Sequence, residues 1–84
     1  MKKANVSSLI CDGKVSLPCG TFNAFDCNGQ GMELRTPRGR RLMLTVVRAG
    51  VSGMPDAVGF VIHDHRRNIA EYALTADGRV LECV

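Results

Sequence analysis

The 84-residue chain contains no tryptophan, one tyrosine and three phenylalanines. A surface that stacks unpaired bases needs aromatics interleaved with basic residues. Phe60 and Tyr72 fall on core positions of the pattern described below, which leaves only Phe22 and Phe25 for that use. An apolar run of about 18 residues is also lacking, so no transmembrane helix is expected. The N-terminal stretch MKKANVSSLICDGK carries basic residues. Its apolar segment is only Leu9-Ile10-Cys11, short of the roughly 7 residues a secretory signal needs, so the expected location is cytoplasmic.

The four cysteines include no C-x-x-C pair, the knuckle that most structural zinc sites use. Cys11, Cys19 and Cys27 stand eight residues apart; Cys19 and Cys83 fall on expected core faces, where a thiol behaves as a small hydrophobe. Reduced thiols suit a cytoplasmic chain. No serine stands in a nucleophile elbow. No glycine-rich loop leads through Gly-Lys into a helix as a phosphate cradle does. The sequence therefore implies neither an enzyme nor a cofactor. Without a fixed repeat, a low-complexity tract or a linker, residues 1–84 read as one small domain.

What is present is alternation. Apolar residues recur with period two between turn signals, which predicts an all-β domain. Asp12-Gly13 predicts a tight type I′ hairpin turn, with Ile10 opposite Val15, Ser8 opposite Leu17 and Val6 opposite Cys19. The segment GTFNAFDCNGQG is irregular and predicts a loop with at most one helical turn near 21–27, capped by Thr21. Pro37-Arg38-Gly39 predicts a three-residue hairpin loop, with glycine in the left-handed position, Leu34 opposite Leu42 and Met32 opposite Leu44.

A three-stranded meander is expected to follow, over VGFVIHDH, IAEYAL and RVLECV. An Arg66-Arg67-Asn68 loop with Asn68 left-handed sets Ile62 opposite Tyr72, Phe60 opposite Leu74 and His63 opposite Glu71. An Asp77-Gly78 loop sets Leu74 opposite Leu81 and Tyr72 opposite Cys83. The sum is about seven short antiparallel strands, a hairpin, a hairpin and a meander, forming a small barrel or a strongly curled sheet. The expected inner set is Ile10, Val15, Leu17, Met32, Leu34, Leu42, Leu44, Val46, Phe60, Ile62, Tyr72, Leu74 and Leu81.

Charge is concentrated. Net charge is +3, yet residues 35–41, RTPRGRR, hold Arg35, Arg38, Arg40 and Arg41. The hairpin register sets Arg35 directly opposite Arg41, and like charges facing each other destabilise a sheet. A second basic turn carries His65, Arg66 and Arg67. Arginine grips phosphate and carboxylate through a planar fork, so these residues are the expected partner-binding set. With so few aromatics, backbone contact is expected rather than base stacking.

His63 and His65 lie two apart on a strand, with Glu71 beyond; two histidines and a carboxylate can form an open metal site. The series His63, His65, Glu71, Gly78 resembles the first metal-binding motif of cupins, which implies a metal inside a barrel. No second cupin motif follows, and the gap to Glu71 departs from the family spacing. No bound metal is therefore expected; His63, His65 and Glu71 are only weak candidates.

The leading expectation is a non-enzymatic binding module that contacts nucleic acid or an acidic protein surface through its arginine hairpin, with no membrane partner. The alternative is a protein-binding accessory or inhibitor, of the kind phages and mobile elements direct at nucleic-acid-processing complexes. A homodimer is a further expectation, since so small a domain leaves sheet edges unprotected.

Overall fold

In the computed structural model, which describes residues 4–51 and 53–82, the chain is an antiparallel meander. A 3₁₀ turn (Val6–Leu9) leads into eight strands: β1 (Ile10–Cys11), β2 (Lys14–Leu17), β3 (Gly20–Phe25), β4 (Gly31–Arg35), β5 (Arg41–Arg48), β6 (Val58–His63), β7 (Asn68–Leu74) and β8 (Val80–Glu82). Each strand pairs with the next in one curled sheet that does not close, so β1 and β8 are its edges. No helix among the described residues is long and apolar enough to cross a membrane.

Local turn chemistry accounts for much of this. Asp12 and Gly13 both take positive φ, 54° and 75°, as a type I′ turn requires, and Ile10 pairs with Val15. Pro37-Arg38-Gly39 forms the expected loop: the Thr36 amide donates to the Arg40 carbonyl at 2.9 Å, and Gly39 has φ of 90°. Met32 pairs with Leu44, Leu34 with Leu42 and Arg35 with Arg41.

Four expectations are corrected. First, the chain before Ile10 does not extend the first hairpin, so Ser8 does not face Leu17 or Val6 face Cys19. Asn5 Oδ1 accepts the Ser7 amide at 2.9 Å, which bends 6–9 into the 3₁₀ turn and seats Val6 fully in the core. Leu17 pairs with Gly20 instead, across a turn at Pro18 and Cys19; Cys19 is exposed there rather than buried.

Second, residues 20–25 are a strand rather than a loop with a helical turn, making eight strands where about seven are expected. Alternation wins over the capping signal, because Phe22 gains a buried site opposite Val15 that a helical turn would deny it.

Third, the β6–β7 pairing is Val58 with Leu74, Phe60 with Tyr72 and Ile62 with Ala70. Asp64 Oδ1 accepts the amides of Arg66 and Arg67, so the turn closes over 64–67 without a left-handed Asn68. This is a slip of two residues, which keeps every side chain on its face, so the expected core row survives.

Fourth, the β7–β8 loop has three residues rather than two. Thr75 N donates to Arg79 O and Gly78 N to Thr75 O, the same pattern as in the arginine hairpin. Leu74 thus pairs with Val80, and Tyr72 with Glu82. That slip of one residue turns Leu81 to the outer face, where it is 36% exposed. The missed signal was the match of TADGR to TPRGR: in both, the threonine hydroxyl accepts the arginine amide at 3.0 Å. Cys83 lies outside the described residues.

The concave face holds one core built on Val6, Val15, Phe22, Leu34, Leu44 and Phe60 together with their neighbours on each strand. Phe60 has no exposed surface, and its ring meets Tyr72 at 5.8 Å between centroids. Gly31 permits the close approach of β4 to β5, since a Cβ there would run into the Leu44 carbonyl oxygen.

Candidate polyanion-binding end

Alternating strand direction sends the turns at 36–40 and 64–67 to the same end of the sheet. Residues 35–41 and 64–67 are thereby brought together, and Arg40 NH2 reaches Asp64 Oδ2 at 3.0 Å between the two tips. This end carries Arg35, Arg38, Arg40, Arg41, Arg66 and Arg67, all exposed. Six arginines against the carboxylates of Glu33 and Asp64 leave four net positive charges, more than the +3 of the whole chain.

The facing pair Arg35 and Arg41 is held by Glu33. Its Oε2 lies 2.6 Å from Arg35 Nε and its Oε1 2.9 Å from Arg41 NH2. One nearly buried carboxylate thus bridges two guanidinium groups, which removes the repulsion expected of that register. Hydrogen bonds from Arg41 and then Arg35 hold the Glu33 carboxyl below the ordinary carboxylate range. Glu33 was overlooked in the sequence, though its position two residues before Arg35 sets both on one face of a strand. Arg35 also lies over the Phe25 ring, 4.5 Å from its centroid. The partners fix the arginines without covering them: the side chains of Arg40 and Arg41 stay 56% and 72% exposed. Arg38, Arg66 and Arg67 make no ion pair among the described residues.

Asp64 locks the second tip. The amides of Arg66 and Arg67, and then the Arg40 side chain, hold its carboxyl down at about 2, outweighing the cost of partial burial. A folded value below the ordinary value of about 3.9 means the charged carboxylate stabilises the fold above roughly pH 4, and this is lost as the pH falls toward 2. The thermal midpoint is expected to fall over that interval. Asp64→Ala should lower it at neutral pH and flatten the acid limb. An acid profile unchanged by the substitution would mean that Asp64 does not hold the tips.

The weak metal candidates are not assembled. His63 pairs with Asn68 and Glu71 with Val61, so the expected facing of His63 and Glu71 is absent, and His65 sits in the turn. The two-residue slip moves Glu71 opposite Val61, and a bulge between Ile62 and His63 then sets His63 opposite Asn68. His63 Nε2 lies 2.8 Å from the Thr45 hydroxyl and Nδ1 3.2 Å from the Asp64 carbonyl. The carbonyl only accepts, so the neutral ring carries its proton on Nδ1 and takes the Thr45 hydroxyl on Nε2. Among the described residues no three His, Cys, Asp or Glu side chains form a metal-holding group. A cleft of about 560 Å³ lies elsewhere, between the first hairpin and the turn before β8, where Cys11, Lys14 and Val80 line it.

The chain matches no family model, no curated protein and no solved structure, so its own geometry carries the functional reading.

Proposed function

We propose that this chain is a small non-enzymatic binding module, acting in the cytoplasm, that holds a polyanion against its arginine end, with nucleic acid as the default partner. The observation that carries the reading is the union of two hairpin tips, distant in sequence, into one surface of six exposed arginines. A surface of this charge suits phosphates, because each guanidinium presents a planar fork of donors. Fixing the arginines beforehand through Glu33 and Asp64 lowers the ordering cost of binding.

The test is fluorescence anisotropy with labelled single-stranded DNA, duplex DNA and RNA over a salt series. Each phosphate contact contributes a slope of about −0.7 to −0.9 to log K against log salt. The arginines without ion pairs alone predict a slope of about −2 or steeper. An absence of binding to all three at low salt overturns the reading.

A second reading has its own observation: among the described residues, β1 and β8 each leave a sheet edge without a neighbouring strand. Strand addition at such an edge is a route for a protein partner or a second copy, and the arginines would then pair with acidic residues. An accessory or inhibitor of this type captures one protein and ignores generic nucleic acid.

A further inference from the structure

The sheet buries three of its four aromatic residues, Phe22, Phe60 and Tyr72, and leaves Phe25 outside, 41% exposed. Phe25 ends β3 on the convex face, opposite Glu33, in a row that continues across the sheet through Met43 to His63. Met43 is also exposed, at 42%. Two large apolar side chains thus stand beside the most charged part of the molecule with part of their burial forgone.

The Arg35 guanidinium lies over the Phe25 ring, and Glu33 clamps it from the side. Ring and guanidinium together form a short cation–π pair, fixed in advance, at the border of the arginine end. Bases stack on aromatic rings and on guanidinium planes alike. A duplex keeps its bases stacked inside the helix and offers only phosphates and groove edges. Only an unpaired base can reach such a pair while its flanking phosphates lie against arginines.

We propose that the convex face of β3–β5 binds single-stranded nucleic acid, with one unpaired base stacked on the Phe25–Arg35 pair and the adjoining phosphates on the arginine end. This rests on the polyanion reading and adds the strand state of the partner. The counts of charge and aromatics favour nucleic acid over a protein: the end is strongly cationic, and the apolar side chains exposed along this row, Phe25 and Met43, are separated by Glu33. The expectation of backbone contact without stacking changes because one aromatic is spared from the core and set beside a fixed arginine.

The experiment compares a labelled twelve-nucleotide thymidine strand with a DNA duplex of equal length, using wild type, Phe25→Ala, Phe25→Tyr and the double variant Arg66→Ala/Arg67→Ala. Phe25→Ala should weaken the single strand about 5- to 150-fold, the range for loss of one stacked base. It should leave duplex affinity and both salt slopes unchanged. Phe25→Tyr, which keeps the ring, should bind like wild type. The double variant should flatten the salt slope for both ligands. A thermal melt confirms that each variant is folded; should the Ala variant fail it, Phe25→Leu takes its place as the variant without a ring. Equal binding of strand and duplex, insensitive to Phe25, would overturn the stacking inference and leave the polyanion reading standing. Binding of neither ligand would overturn both.

Discussion

Removing the arginines that lack ion pairs, in the triple variant Arg38→Ala/Arg66→Ala/Arg67→Ala, is expected to weaken nucleic-acid binding about 100- to 500-fold at 0.1 M salt. The figure follows from counterion release: three lost phosphate contacts remove about 2.1 to 2.7 from the slope of log K against log salt, and the same number of decades of affinity at tenth-molar salt. These positions are chosen because no carboxylate among the described residues holds them, so their loss leaves no buried charge unpartnered. Removing Arg35 or Arg41 would instead mix lost contacts with disruption of the Glu33 bridge. The triple variant should melt near the wild-type temperature, since surface substitutions away from packed features usually change stability by less than about 0.5 kcal/mol. Anisotropy over a salt series checks both numbers. Unchanged affinity and slope would place any phosphate contacts elsewhere on the molecule.

Phe60→Ala is expected to cost about 3–5 kcal/mol of folding stability, the range for emptying a fully buried phenylalanine site. Phe60 has no exposed surface, lies on the central strand β6 and packs its ring on Tyr72. A chain of this length carries only about 4–13 kcal/mol in total, so the variant should lose between about a quarter and all of it. Urea denaturation followed by circular dichroism gives the value, with Phe25→Ala as the comparison. The latter stands outside the core and should shift the transition little. Equal midpoints for the two phenylalanine variants would contradict the burial assigned to each.

Much of the fold was legible because its determinants are local. Asp12-Gly13 and Pro37-Arg38-Gly39 set their turns through backbone conformations that few other residues adopt, and strand alternation then fixed which face looks inward. Ten of the thirteen residues expected inside are buried core residues; Ile10 and Val46 pack against that core partly buried, and Leu81 faces outward.

The two register errors have one physical origin. A turn residue constrains its own few neighbours, whereas loop length sets the register of a whole strand. Reading TADGR as a two-residue loop displaced β8 by one position and sent Leu81 to the wrong face. The arginines were visible as a cluster, but their partners were not: Asp64 is 24 residues from Arg40 in sequence. Glu33 is close to them in sequence, but its role depends on Arg35 and Arg41 facing each other across two strands.

The sequence by itself thus determined the all-β class, the alternation that builds the core and the chemistry of the arginine turn, because turn conformation and strand periodicity act over a few residues. The tertiary structure alone decided that the two basic tips share one end, that Glu33 and Asp64 hold them, and that Phe25 stays outside beside Arg35. Those relations depend on strand order, register and curl, which arise only when all eight strands pack on one another.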